Sequence, residues 1–260
     1  MKKIAIILLL TLSFNTVFAD EIFITKRSDG HKTIFDGKWT FLQEWKTTTQ
    51  NKIIFEQDKH FILKTGHDYE NIYVLIDFVS DRKIDTNIDR AIVCFDGENE
   101  KNKIPDSNDF CFWVASGSKH PISISGNSNF SSVGNWKNIP NHPSFLAAAG
   151  ESDENDRYSS IPHSTYEFRI PIEQIGKNDV YGFYVTVYDG FSQKWYSWPT
   201  DTNSVKYPFI ATPDNWGDLI SPDKSIPEFG YPILLTIPIL LMIIFLARKN
   251  FLVYNGKNFL

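Results

Sequence analysis

The chain has 260 residues, a formal net charge of −5 at pH 7 and 15% aromatic residues. At this net charge the electrostatic footprint of a nucleic-acid-binding protein is not expected, and neither is a nucleic-acid partner. Once an apolar segment at each end is set aside, roughly 200 residues remain, enough for one domain with a substantial core.

The first 19 residues are typical of a secretory signal peptide. Lys2 and Lys3 form a positive start, an apolar run follows, and Ala19 ends a stretch that fits a cleavage site. We expect cleavage after Ala19, and an uncleaved N-terminal anchor is the alternative. The chain is therefore predicted to be exported, with residues 20–220 forming an extracellular domain.

Short apolar runs separated by turn residues predict strands throughout this domain. In Tyr181–Tyr188, alternate residues fall on opposite faces, which indicates a half-buried strand. Many short strands without an intervening helical pattern predict an all-β fold, an antiparallel β-sandwich of jelly-roll-like form. One helical turn is expected within Pro171–Lys177. The other predicted strands are Lys52–Glu56, Phe61–Lys64, Ile72–Val79, Ala91–Phe95, Phe110–Ala115, Ile122–Ser125, Phe145–Ala149, Tyr166–Ile170 and Lys194–Ser197.

Three oxygen donors, Asp85, Asn87 and Asp89, stand at alternate positions before a predicted strand. Calcium prefers carboxylate and amide oxygens, so these residues are candidate ligands for a structural Ca²⁺. Arg90 stands where a calcium loop of the EF-hand type requires glycine, which leaves a solvated turn as the alternative.

Cys94 and Cys111 flank a polar loop in a predicted hairpin. An exported domain lies in a compartment where disulfides form. If Phe95 faces Phe110 across the hairpin, the two cysteines face each other directly. The sequence leaves two alternatives for these cysteines, a disulfide between them or a pair of reduced, buried cysteines.

The C-terminal region predicts a membrane anchor. Residues 231–247 form an uncharged apolar run near the length that spans a bilayer, and Arg248 and Lys249 follow it. Basic residues at that end favour a cytoplasmic tail, residues 248–260. Residues 221–230 would be a linker containing Pro227-Glu228-Phe229. This order resembles the PEFG-type sorting tail of archaeal surface proteins, and the resemblance implies a sortase-like processing enzyme as a partner.

Six motifs, in order, resemble family 9 carbohydrate-binding modules and their DOMON-like relatives. The resemblance implies a non-catalytic antiparallel sandwich that binds sugars, often with structural calcium. The motifs cover about 33–219, and they are Asp36-Gly37 with Trp39, Glu44-Trp45, Asn71–Ile76, Asp89–Asp96, Tyr166–Pro171 and Pro213–Leu219.

A sugar site needs aromatic rings that stack on the apolar face of a pyranose, with polar groups for its hydroxyls. Trp136 lies in a polar loop region, and Trp195 and Trp198 flank Tyr196 in a predicted strand. These three tryptophans are the candidate ligand-binding residues, with a place in the core as the alternative. Trp39 and Trp45 are expected to be core residues.

The sequence favours a surface-anchored protein that binds a glycan or polysaccharide and is not an enzyme. No zinc-protease or nucleophile-elbow motif is present in the sequence. One alternative is a structural or adhesion protein of the cell envelope that binds protein partners. The other is a haem-binding, electron-transfer domain. Because the exported segment has no methionine, its haem would need a residue such as His60 or His142.

Overall fold

The computed structural model describes residues 20–27, 32–127, 135–200, 202 and 208–222. The predicted signal peptide and apolar segment 231–247, with the sorting motif before it, lie outside these ranges. Within them, no helix is long and apolar enough to cross a membrane.

Two β-sheets make up the described fold, which is therefore the predicted all-β class. An eight-stranded first sheet contains β1 (Glu21–Phe23), β6 (Arg90–Asp96), β7 (Asp109–Ala115), β8 (Ile122–Gly126), β9 (Trp136–Ile139), β12 (Val180–Asp189), β13 (Lys194–Trp198) and β14 (Gly217–Ile220). A six-stranded second sheet contains β2 (Thr25–Lys26), β3 (Asn51–Ile54), β4 (His60–His67), β5 (Asn71–Phe78), β10 (Leu146–Glu151) and β11 (Ser164–Pro171). One helical turn, α1 (Ile172–Ile175), follows β11, and short 3-10 helices occupy Glu56–Asp58 and Pro213–Asn215.

The strand order is β1-β14-β12-β6-β7-β8-β9 in the first sheet, with β13 on β12, and β10-β11-β5-β4-β2 in the second, with β3 on β4. Most neighbours are antiparallel, as predicted. The pairs β1–β14 and β2–β4 are parallel, which corrects the expectation of a purely antiparallel sandwich. Parallel neighbours need a long connection, and nearly the whole domain lies between β1 and β14.

The main core lies between the two sheets and follows the period-two pattern of the strands. Phe95 and Phe183 project into it from the first sheet, and Ile76, Phe78 and Phe168 do so from the second. A second apolar cluster covers the opposite face of the first sheet. The sheets therefore bury one common face, and each has a second face on which other segments fold.

Residues 32–48 fold over the outer face of the second sheet and are held there by Glu167. Its carboxylate accepts hydrogen bonds from the indole nitrogen of Trp45 (3.0 Å) and from the backbone nitrogens of Gly37 (2.8 Å) and Asp36 (3.1 Å). Burial raises the pKa of Glu167 well above its ordinary value. Gly37 has φ of 86°, a conformation that suits glycine. The Asp-Gly and Glu-Trp motifs thus position a structural segment, and Trp45 is fully buried, as expected. Trp39 is only half-buried and lies outside the core, so the expectation that it is a core residue was wrong.

Candidate functional site

A groove with a volume of about 520 Å³ opens at the lateral edge of the sandwich, where the end of β3 faces β13. Its two walls come from different sheets, because Ile54–Lys59 belong to the second sheet and its connection, and Ser192–Ser197 to the first. The groove is lined by Phe55, Gln57, Lys59, Ser192, Trp195 and Thr200, among others.

Trp195 is the tryptophan among the residues that line this groove. It is half-buried on β13, packs on Tyr188 at 4.9 Å between ring centroids, and stacks on Phe209 at 5.4 Å with the rings inclined by 25°. Contacts on both neighbours restrict the rotation of the indole. A fixed, partly exposed aromatic ring is the element on which a sugar ring can stack.

Polar side chains line the groove together with Trp195. The Lys59 ammonium lies 3.4 Å from Asp189 Oδ2 and 5.1 Å from the ring centroid of Tyr196. The Ser192 hydroxyl also donates a hydrogen bond to Asp189 Oδ2, at 2.6 Å. Asp189 therefore orients two groove residues that can bond a ligand's hydroxyl groups.

The structure separates the three tryptophans that the sequence suggested as ligand-binding residues. Trp136 is 6% exposed and stacks on Trp216, with 6.3 Å between ring centroids. Trp198 is also 6% exposed and packs on Phe183 in the main core. Only Trp195 of the three lines the groove, so Trp136 and Trp198 lie where the core alternative placed them.

Cys94 and Cys111 are joined by a disulfide. They are directly opposite each other in the pairing of β6 with β7, as are Phe95 and Phe110. Both sulfur atoms belong to the apolar cluster on the outer face of the first sheet, which contains Trp136 as well. The bond therefore ties two central strands under the segment that covers them.

Three buried carboxylates, those of Asp81, Asp89 and Asp189, meet at one rim of the sandwich. One oxygen from each lies within 4.8 Å of the others. Asp81 follows β5 of the second sheet, whereas Asp89 precedes β6 and Asp189 ends β12 in the first. The cluster thus bridges the two sheets beside the groove.

The environment of this cluster fits a divalent cation. Burial raises the pKa of Asp81 to about 6 and also raises that of Asp89. The Tyr166 hydroxyl is fully buried beside Ser164, and burial together with the charges of Asp89 and Asp81 raises the pKa of Tyr166. Clustered carboxylate oxygens are donors that Ca²⁺ takes.

The other two predicted calcium ligands, Asp85 and Asn87, are not members of this cluster. Asp85 lies next to the cluster, since its backbone nitrogen donates to Asp89 Oδ2 and its own Oδ2 is buried without a hydrogen-bond partner. Asn87 is exposed, and its side-chain oxygen lies near Gly117. Sequence reasoning missed Asp81 and Asp189, because only the folded chain brings these strand ends together.

Ser152, His163 and Asp77 form a buried chain of hydrogen bonds that looks like a nucleophile triad. Ser152 Oγ lies 2.9 Å from His163 Nδ1, and His163 Nε2 lies 2.5 Å from Asp77 Oδ1. However, Ser152 is buried, its hydroxyl oxygen accepts the backbone N–H of His163, and Nδ1 also contacts the carbonyl of Ile161 at 2.8 Å. The arrangement closes the 152–163 segment onto the second sheet and presents no exposed nucleophile.

The two histidines considered for haem occupy ordinary surface contacts. His60 Nδ1 lies 3.0 Å from the carbonyl oxygen of Asp58, and His142 Nε2 lies 3.6 Å from Glu173 Oε2.

Comparison with known proteins gives no family for the chain. No family model matches it, and no curated protein matches it. Two similar solved structures are of a family 9 carbohydrate binding module from Caldicellulosiruptor kristjanssonii, one in complex with cellotriose and one with glucose. Their identities to this chain are 15% and 14%, each with a TM-score of 0.49 over 78% of this chain, and they are covered to 93% and 95% of their own lengths.

Proposed function

We propose that this domain binds carbohydrate without cleaving it and that the groove around Trp195 is the binding site. The observation that supports this most directly is a half-buried indole, fixed by Tyr188 and Phe209, in an open groove with polar walls. Such a groove suits a sugar, which has apolar ring faces and many hydroxyl groups. The ordered motif resemblance points to the same class of ligand.

The proposed setting is the outer surface of the cell. Residues 1–19 would direct export, and residues 231–247 would hold the domain at the membrane, where it could meet a glycan or polysaccharide. Fractionation of cells expressing the full chain tests this placement, with protease accessibility of the domain as the readout.

Replacing Trp195 by alanine is expected to weaken glycan affinity by about tenfold or more, because a central aromatic contact is lost. Binding should be screened on a glycan array and quantified by calorimetry on the sugars that bind. Phe191→Ala is the matched control, since Phe191 is the most exposed of the large apolar residues described and does not line the groove. A folded wild-type domain that binds no glycan would contradict the proposal.

We also propose that Asp81, Asp89 and Asp189 bind Ca²⁺ and thereby order the groove, because Asp189 holds Lys59 and Ser192. Calcium at a hundredfold excess over its Kd should add about 2.7 kcal/mol to the free energy of unfolding. For a domain of this size the melting temperature should rise by roughly 5 °C or more.

Chelation should reverse that rise and weaken glycan affinity. Asp81→Asn should abolish the calcium-dependent shift, whereas Asp58→Asn, at an exposed residue, should keep it. A melting temperature that calcium and chelator leave unchanged would count against the cation site and would leave the groove to be judged by Trp195→Ala.

A structural or adhesion role is the second candidate, favoured by the burial of Trp45, Trp136, Trp198 and Trp216. Much of the aromatic content thus serves packing. Adhesion to a protein would survive Trp195→Ala, which separates the two candidates.

A further inference from the structure

Two cations flank Trp39 on the outer face of the second sheet. The Arg157 guanidinium carbon lies 4.2 Å from the ring centroid of Trp39, and the Lys64 ammonium lies 5.1 Å from the same centroid. The Arg157 guanidinium carbon and the Lys64 ammonium are therefore no farther apart than the sum of these two distances. We call Trp39, Lys64 and Arg157 the Trp39 patch.

No carboxylate of a described residue lies within ion-pair distance of the two cations in this patch. Neither Lys64 nor Arg157 forms an ion pair with a described residue, and the nearby Lys38 already pairs with Asp153 at 3.1 Å.

Lys64 is the unusual member, because a lysine is rarely buried without a charged partner. It is 3% exposed and donates a hydrogen bond to Gln50 Oε1 at 3.4 Å, an oxygen that also accepts a hydrogen bond from the Tyr158 hydroxyl at 2.7 Å. Burial, together with the charge of Arg157, lowers the pKa of Lys64 to about 8. An ammonium group has three donors, so donor capacity remains for a further acceptor.

We propose that the Trp39 patch binds the anionic group of an acidic glycan, a carboxylate or a sulfate ester, through Lys64 and Arg157. A guanidinium group can donate two parallel hydrogen bonds to either anion, and the ammonium group adds a point charge. Trp39 fixes both cations through its ring. The proposal rests on the carbohydrate-binding function and specifies the class of sugar.

The position of the patch relative to the groove supports one long ligand. Gln50, which Lys64 and Tyr158 contact, immediately precedes β3, and Phe55, in the groove, immediately follows it. Five residues of extended chain cover roughly 16 Å. An acidic polysaccharide lying along β3 would meet the Trp39 patch at one end and Trp195 at the other.

The test is calorimetry at low ionic strength with four probes: an oligogalacturonate, a sulfated galactan oligosaccharide, inorganic sulfate and a neutral cello-oligosaccharide. The first two distinguish carboxylate from sulfate ester as the recognised group, and inorganic sulfate tests the anion alone. Wild type, Lys64→Met, Arg157→Gln and Lys137→Gln are compared. Lys137 is an exposed lysine on β9 of the first sheet, so its variant removes the same charge elsewhere.

Wild type should bind at least one acidic oligosaccharide, and Lys64→Met and Arg157→Gln should each weaken that binding by about tenfold or more. Lys137→Gln should stay within about twofold, because a remote exposed charge acts only through a screened field. Affinity for a neutral sugar that binds should be the same in all four proteins. Arg157 is exposed, so its variant keeps the test valid if Lys64→Met fails to fold.

The proposal would be overturned if the acidic probes bound Lys64→Met and Arg157→Gln as tightly as they bind Lys137→Gln. It would also be overturned if wild type bound no acidic probe. Its failure differs from that of the groove proposal. Loss of neutral-sugar binding in Trp195→Ala with no effect of Lys64→Met would retain the groove and reject the patch. The reverse pattern would retain the patch alone.

Discussion

Glu167→Ala is expected to lower the free energy of unfolding by about 3 kcal/mol or more. The carboxylate is the acceptor for Trp45 Nε1 and for the backbone nitrogens of Asp36 and Gly37. Removing it leaves up to three donors without an acceptor, two of them buried, and each such group costs about 1–3 kcal/mol. A domain of this kind has only about 5–15 kcal/mol of stability, so the change should be large.

Denaturant unfolding measures the loss, and amide hydrogen exchange at Asp36 and Gly37 reports whether the 32–48 segment is released first. Glu167→Gln should be destabilising too, because one end of its amide group presents a donor to a donor. Glu154→Ala, at an exposed glutamate of the 152–163 segment, is the control. Equal stability of Glu167→Ala and Glu154→Ala would show that Glu167 does not hold this segment.

The sheets could be predicted from the sequence where strands are long and alternate. Each of the ten predicted strands overlaps an observed one, and the predicted helical turn coincides with α1. The sequence analysis does not predict β1, β2, β9 and β14, which have only two to four residues and show no clear apolar alternation. Their places depend on partners such as β12 and β4, which are distant in sequence.

The candidate site was predictable only in part, for reasons visible in single residues. Alternation puts Trp198 on the same face as Tyr196 but does not tell which face is buried, and the structure places both residues in the main core. Trp136 is buried because Trp216 covers it, and nothing in the local sequence reveals that contact. The groove itself arises where edges of two different sheets meet, which is a property of tertiary structure.

The Asp81–Asp89–Asp189 cluster also depends on tertiary structure and is not visible in the local sequence. A sequence scan finds donors that alternate within one turn, and it selected Asp85, Asn87 and Asp89. The observed cluster takes one residue from each of three strand ends in two sheets. Asp89 belongs to both sets, because it stands at the rim where β6 begins.

Replacing His163 by leucine is expected to lower the free energy of unfolding by about 3–5 kcal/mol, because Asp77 is left buried without its partner. Both side chains are fully buried, and the pair is joined at 2.5 Å. Asp77→Leu should be destabilising for the corresponding reason. The double variant His163→Leu/Asp77→Leu should be more stable than either single variant, since neither member of the pair is then left buried without the other. His120→Leu, at an exposed histidine, is the control.

The pH dependence gives an independent check on this pair. Burial alone would lower the pKa of His163, but the hydrogen bond and charge of Asp77 raise it above its ordinary value. A raised folded-state pKa means that the stabilisation is complete below the unfolded-state value of about 6.5 and is lost as the pH rises through the folded-state value. Burial also raises the pKa of Asp77, to about 6. The contributions of both groups to the free energy of unfolding therefore fall as the pH rises. Unfolding free energies measured from pH 5 to 9 should therefore fall more steeply in wild type than in the double variant, and parallel curves would show that the folded pair binds no more protons than the same two groups bind in the unfolded chain.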